Sequence, residues 1–274
     1  MTATLDFFGL EPSDDPHRWS FRVSNGLCST IGALFGGAGL GAAILALEAT
    51  TGRPVVWATA QFLSYARLDS EVTLDIIESV RGFRTSQSRV VGRVGGEEIF
   101  TVNAASGARD EPWSGTWDTM PPVPAPHDCP PRELSEQFTG TIASRLDTRR
   151  ANARDLPSLD GTPGDGRAAL WVQLPDLEVN AATLAVLGDY VPFGIGQTLG
   201  LPVGGNSLDN TIRVAHRQPD AEWVLADVRI HAVADGFGCG DVFLWSQDGT
   251  LLAVASQSTI LRPFHVPPRA EHTK

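Results

Sequence analysis

An aspartate at position 189 lies inside the apolar run LAVLGDYVPFGIG, on a segment expected to fold as a buried helix. A carboxylate in such surroundings needs hydrogen-bond partners or a raised pKa, and a raised pKa prepares it to act as a base. The competing reading is structural: Asp189 caps a helix kink ahead of Pro192. Two further polar residues are placed to join it. Ser207 opens the strand that follows the helix, and Gln257 stands between the strand residues AVAS and STIL. Base, hydroxyl and amide then form one cluster. Earlier in the chain, Gly36 and Gly37 head another apolar helix, and exposed amides at such a terminus suit an oxyanion or a phosphate. Backbone amides near Gly36, Gly37 or Ser207 are therefore expected to receive developing negative charge.

Other motifs carry less. Gly37-x-Gly39-x-x-Ala42 matches a relaxed dinucleotide fingerprint, but the next strand-like run, VVWATA, ends at Gln61 with no acid nearby to hold a ribose. No G-x-S-x-G elbow exists, since Gly205-Asn206-Ser207-Leu208-Asp209 lacks the second glycine. The six histidines show no zinc-helix spacing. His127-Asp128-Cys129 sits among prolines and reads as a chance polar cluster, and His216 and His231 read as satisfied or solvent-facing strand residues. No metal site is expected.

The elements that must position these residues come in two sets. GFRTSQSRVVGRVGGEEIFTVNAAS (Gly82 to Ser106) and GFGCGDVFLWSQDGTLLAVASQS (Gly236 to Ser258) share one pattern. Each opens on Gly-Phe, alternates, turns at a glycine among polar residues and returns through a second apolar run. From Gly82 to Gly236 and from Gly96 to Gly249 the register slips by only one residue. A period this long is one fold used twice, not a solenoid. Gln257 takes the position that Ala104 holds in the first copy, so only the second copy kept polar groups there.

In the first half, HRWSFRVSNGLCS reads as an edge strand, and Ala38 to Ala49 reads as a helix apolar on nearly every side, which protein must surround. VVWATAQFLSYA, VTLDIIESV, TSQSRVVGRV and EEIFTVNAA follow as strands, the last two joined at Gly95-Gly96-Glu97. A proline-rich stretch, 108–131, reads as a stiff linker. FTGTIASRLD and GRAALWVQLPD then read as strands, AATLAVLGDYVPFGIGQTLG as the second helix, and NSLDNTIRVAHR, EWVLADVRIHAVA, CGDVFLWSQ and TLLAVASQSTIL as strands. The expectation is an α+β chain of two units, 1–107 and 132–266, with a polar tail at 267–274. Each unit is a long helix wrapped by about five antiparallel strands, and the two sheets join edge to edge to hide two exposed edges.

Composition narrows the function classes. The chain has 274 residues, 42% hydrophobic and 19% charged, which is ample for a core. A net charge of -11 argues against nucleic acid as the main partner. Cys28, Cys129 and Cys239 form no C-x-x-C pair, so a reduced, cytoplasmic protein is the simplest reading. No basic n-region marks a signal peptide. Asn25 to Leu47 carries no charge and contains Gly32-x-x-x-Gly36 and Gly37-x-x-x-Gly41, but it is too glycine-rich and polar at its start for a membrane span, and reads as a buried helix.

The order of elements, with Phe35-Gly36-Gly37 at the head of the first helix, resembles the hotdog fold. The whole chain resembles the double-hotdog acyl-CoA thioesterase II family through FGGAGLG, GDY, NSLDNTIRVAHR and LLAVASQSTILR. That resemblance implies hydrolysis of acyl-CoA to free acid and CoA with no metal or organic cofactor. It implies that Asp189, Ser207 and Gln257 hold the attacking water. Arg213 and Arg217, beside the proposed site in the sequence, read either as candidates for the CoA phosphates or as solvated strand arginines. The rival readings are a dehydratase, a thioesterase acting on carrier-bound chains, and a non-catalytic acyl-binding protein. The chain departs from the family at Ala38, where many members have Gln, and at Asn210, where His is frequent; both bear on the acyl pocket. Self-association as a homodimer or higher oligomer is expected, because apolar faces such as Val242 to Trp245 need cover.

Overall fold

The computed structural model describes residues 2–175, 177–217 and 220–263. The tail expected at 267–274 lies outside them, as do the last residues of the second unit. In the first half a short helix, α1 (Thr2–Phe8), precedes β1 (Glu11–Pro12) and β2 (Arg18–Arg22); α2 (Gly36–Thr51) follows, then β3 (Val55–Phe62), β4 (Glu71–Arg81), β5 (Thr85–Val94) and β6 (Glu97–Gly107). The second half contains β7 (Asp147–Asn152), β8 (Arg167–Gln173), α3 (Ala181–Leu187), α4 (Val191–Leu199), β9 (Val203–Ser207), β10 (Asp209–Val214), β11 (Val224–Ala234), β12 (Phe237–Ser246) and β13 (Leu251–Pro263).

All strands form one sheet in the order β1-β2-β4-β5-β6-β3-β10-β13-β12-β11-β8-β7, with β9 paired to β13 beside that path. Every pairing is antiparallel. The two halves repeat one connectivity: β2-β4-β5-β6-β3 in the first corresponds to β8-β11-β12-β13-β10 in the second. They join through β3 and β10, with Thr59 opposite Thr211 and their hydroxyl oxygens 2.6 Å apart. The join gives each of these edge strands a full ladder and removes two templates for aggregation.

The α2 helix runs through the core with Gly37 through Leu47 entirely buried. Burial of Leu40, Ile44 and Leu47 contributes about 1.5–3 kcal/mol each. It packs directly on α3, and its glycines set the distance. A Cβ at Gly37 would meet the Ala185 carbonyl oxygen at 2.7 Å, and one at Gly41 would meet that of Ala182 at 2.6 Å. The Gly37-x-x-x-Gly41 spacing therefore serves a helix crossing inside the chain. None of the described helices is long and apolar enough to cross a membrane.

Three expectations need correction. The second helix is not continuous: α3 stops at Leu187, and α4 begins at Val191 with Pro192 in its first turn. Within one longer helix the Pro192 ring would collide with the Gly188 carbonyl four residues back, so the axis breaks over Gly188-Asp189-Tyr190. FTGTIASRLD is not a strand but two 3-10 turns, Glu136–Phe138 and Ile142–Arg145. There Thr141 Oγ1 donates to the Phe138 carbonyl at 2.7 Å and Ser144 Oγ to that of Thr141 at 2.8 Å, so local bonds replace a ladder. NSLDNTIRVAHR divides at Leu208 into β9 and β10, both laid along β13.

The proline-rich stretch forms no helix or strand over 108–125, yet it packs. It crosses the outer face of the second half's sheet, where Met120, Val123 and buried Cys129 cover Trp171, Trp223 and Trp245. The Trp171 indole donates to the Pro124 carbonyl at 2.9 Å. Val242 and Leu244 point into the main core, and Trp245 is fully buried, so the Val242 to Trp245 face does not call for a second subunit.

Candidate active site

The helix break sets the position of Asp189. Residue 180 holds α3 with a reciprocal cap: the Asn180 side chain accepts from the amides of Ala182 and Thr183, each at 3.0 Å, while Thr183 Oγ1 accepts from the Asn180 amide at 2.8 Å. Seven residues later the backbone leaves the helix, and the Asp189 side chain turns to the N-terminus of α2. Its Oδ2 accepts the Gly37 amide at 2.6 Å, and its Oδ1 accepts Gln257 Nε2. Gln257 Nε2 also donates to Ser207 Oγ at 2.8 Å, while Gln257 Oε1 accepts the Val191 amide at 3.3 Å. That last bond fixes the carboxamide: with its oxygen turned to α4, its nitrogen must face Asp189 and Ser207.

Asp189 and Gln257 are buried, and Ser207 is partly so. Burial raises the Asp189 carboxyl to a pKa of about 6, against the lowering effect of the Gln257 and Gly37 donors. The group is thus ionised at neutral pH yet far more basic than an ordinary carboxylate. Because Ser207 Oγ already accepts from Gln257, its proton is available to a third party. Nothing else at the break competes: among the described residues no group of three His, Cys, Asp or Glu could hold a metal ion.

These groups sit on a cavity of about 720 Å³. Asp189, Ser207 and Gly36 line it, with Phe35, Phe62, Phe138, Leu146, Tyr190 and Phe193 among its apolar walls. Gln257 does not line the cavity and stands behind the other two. The expected cluster of Asp189, Ser207 and Gln257 is thus brought together, with Gln257 in the role of bracket. Gly36 and Gly37 separate in function. The Gly37 amide is spent on Asp189, which removes it as an oxyanion donor, whereas Gly36 lines the cavity and its amide has no acceptor among the described residues.

Arg213 and Arg217 are misplaced by the sequence reading. Arg213 lies exposed on β10 opposite Trp57, and the Arg217 guanidinium donates to the Val55 carbonyl at 2.6 Å, beside the far end of α2; neither lines the cavity. Arg213 sits in the β3–β10 ladder and Arg217 beyond the end of β10, so both are carried away from Ser207 on β9. The cavity arginines are Arg67, Arg132 and Arg154 on loops, Arg150 on β7 and Arg262 near the end of β13, positions that no sequence pattern marks. Ala38 and Asn210 are likewise absent from the lining, being buried in α2 and at the β3–β10 join.

Residues 125–261, half of the chain, match the family model of the acyl-CoA thioesterase C-terminal domain. A solved candidate thioesterase from Novosphingobium aromaticivorans is 33% identical over 92% of this chain and 98% of its own, with a TM-score of 0.82. A hotdog-fold protein of unknown function from Alicyclobacillus acidocaldarius has a TM-score of 0.83 at 21% identity, covering 96% and 98% of the two chains. An acyl-CoA thioesterase II from Mycobacterium marinum has a TM-score of 0.74 at 20% identity, covering 96% and 99%. No curated protein matches the sequence. With a duplicated hotdog sheet, a family model spanning half its length and a one-third-identical relative, the chain belongs to the acyl-CoA thioesterase II family of double-hotdog thioesterases.

Proposed function

We propose that this protein hydrolyses acyl-CoA thioesters with a water molecule activated by Asp189. The observation that carries the reading is a basic carboxylate, bonded by Gly37 and Gln257, that faces a largely apolar cavity beside a hydroxyl with a free proton. Asp189 takes a proton from water as the oxygen attacks the thioester carbonyl, and Ser207 orients that water. The developing oxyanion is met by the Gly36 amide at the N-terminus of α2. Collapse breaks the carbon–sulfur bond, and the departing thiolate recovers the proton from Asp189. Water and thioester go in; acid and thiol come out. The first unit, 1–107, supplies the amides, and the second, 132–266, supplies the base and its supports.

For the CoA phosphates, exposed Arg67 and Arg262 at the cavity replace Arg213 and Arg217. We place the protein in the cytoplasm, in line with three free cysteines. We retain self-association as a proposal, now resting on exposed Ile77, Val80, Phe83 and Phe237 instead of the covered Val242 to Trp245 face. The deciding experiment incubates the protein with acyl-CoAs of graded chain length, and with the same chains on a carrier protein, while free thiol is followed. Release from acyl-CoA alone is expected. Release only from the carrier, or none from either, overturns the reading.

A further inference from the structure

Among the cavity arginines, Arg132 has no described partner to neutralise it. Arg67 and Arg262 are exposed to water, and Arg154 is committed to the carbonyls of Gln197 and Thr162. Arg132 is only partly exposed. Its backbone amide is fixed to the Thr148 carbonyl at 2.8 Å, and its guanidinium lies over the Phe193 ring, 4.7 Å from the centroid. Among the described residues no carboxylate or carbonyl accepts a bond from that guanidinium, and the adjacent Glu133 is exposed and forms no ion pair with it. A second lining guanidinium, Arg150, reaches only Asp155, at 3.5 Å, and its buried Nε has no described partner.

The position of Arg132 relative to the reacting centre is informative. Tyr190 directly follows Asp189, its ring meets Phe193 edge-on at 6.0 Å, and Phe193 carries Arg132. The cation thus stands one aromatic pair beyond the base, along a cavity wall. A purely aliphatic tail laid along this wall would strip water from the guanidinium and return nothing. The CoA phosphates are separated from the thioester by the whole pantetheine arm, and they suit the exposed arginines better. A short tail ending in a carboxylate would satisfy the planar fork in two parallel bonds. Burial lowers the Arg132 pKa, as expected of a cation deprived of a counterion.

Resting on the acyl-CoA reading above, we propose that the preferred substrates carry a carboxylate at the far end of the acyl group, and that Arg132 selects for it. A site built to bond a charged group rejects the analogue without it, because its own polar groups are then left unpaired. Arg132 is a specificity residue and takes no part in hydrolysis.

The test uses non-hydrolysable thioethers, so that it does not depend on turnover. Binding of 5-carboxypentyl-CoA and hexyl-CoA thioethers is measured by calorimetry for the wild type, Arg132→Met and Arg132→Lys. The wild type should bind the carboxylated ligand about tenfold or more tightly than the neutral one. Arg132→Met should erase that preference, with hexyl-CoA bound at least as tightly as by the wild type because the tail no longer desolvates a cation, and Arg132→Lys should keep part of it. Equal or tighter wild-type binding of hexyl-CoA overturns the proposal. So does equal weakening of both ligands in Arg132→Met, which marks a structural residue. If Arg132→Met weakens hexyl-CoA but not hexyl-pantetheine, Arg132 holds a phosphate and the proposal falls while the acyl-CoA reading stands. If neither CoA thioether binds the wild type, the acyl-CoA reading itself fails, and this proposal with it.

Discussion

The Gly37 amide and the Asp189 carboxylate, 152 residues apart in the chain, meet at 2.6 Å. The same spacing separates Thr59 from Thr211, whose hydroxyls meet where the two halves of the sheet join. Both contacts cross between the copies of one duplicated fold. The first copy has Ala104 where the second has Gln257, but its helix terminus supplies a donor to the Asp189 carboxylate of the second. Catalysis by this chain would therefore depend on both copies, although only one carries the base.

This arrangement predicts the pH dependence. With Asp189 at a pKa of about 6, kcat/KM for an acyl-CoA should rise through that pH and level off above it, since the base works only when ionised. Stability should run the other way. The folded state holds the Asp189 proton up to about pH 6, whereas the unfolded chain releases it near the usual 3.8. Between those values the folded state binds more protons, so stability falls as pH rises. Thermal melts of the wild type and Asp189→Asn test this, because the variant lacks the titration. The stability of the variant relative to wild type should grow by up to about 3 kcal/mol from pH 4 to pH 7. A gap that stays constant with pH would show that Asp189 is not buried as a titrating acid.

Gly37→Ala separates packing from chemistry. A methyl there would meet the Ala185 carbonyl oxygen at 2.7 Å and Asp189 Cβ at 2.9 Å, so α2 and α3 must part and the carboxylate must lose its amide. Gly41→Ala strains the same crossing against the Ala182 carbonyl and Phe8, one turn from the site. Both should cost about 1–3 kcal/mol in denaturant unfolding. Only Gly37→Ala should also raise the pH at which activity sets in, since a carboxylate deprived of a donor is more basic.

The join itself can be weighed. Thr59→Val, Thr211→Val and the double variant form a cycle around one hydroxyl pair in which neither partner is charged. Each single change leaves a hydroxyl without its mate, so the singles should lose more than half of what the double loses. A coupling of about 1 kcal/mol is expected from unfolding midpoints. Zero coupling would mean that the hydroxyl pair adds nothing to the backbone ladder at this join.

Much of this architecture is legible in the sequence because it is written twice. The Gly82 and Gly236 hairpins announce the duplication, and period-two alternation places their strands. Gln257 is visible as a mismatch between copies, standing where Ala104 stands in the first, and Asp189 as an acid in an apolar run. What escapes is set by distant contacts. The role of Gly37 depends on α3, far along the chain, and the break at Asp189 depends on a proline whose effect on a helix cannot be placed to the residue. The arginines escape for another reason. A long side chain on a loop is aimed by the path of the loop, so Arg132 carries no more signal in the sequence than Arg213, although only one reaches the cavity.

The last prediction concerns how the polar cluster divides its work. Asp189→Asn is nearly isosteric, but an amide cannot take a proton from water, so turnover should fall by about 10²- to 10⁴-fold with the fold retained. Ser207→Ala should cost less, because the base remains and only the orientation of the water suffers. Gln257→Ala acts without reaching the cavity: it frees the Asp189 Oδ1 contact and releases Ser207 together. Its loss should therefore resemble that of Ser207→Ala, and it should add an upward shift of the pH limb, because the carboxylate then lacks its strongest donor. Single-turnover kinetics on all singles and the triple variant decide the matter. If the three act as a unit, the triple should be scarcely worse than Asp189→Asn alone. Losses that simply multiply would mean three independent contributions. An Asp189→Asn protein that unfolds while keeping its activity per folded molecule would make Asp189 the cap of a helix break and nothing more.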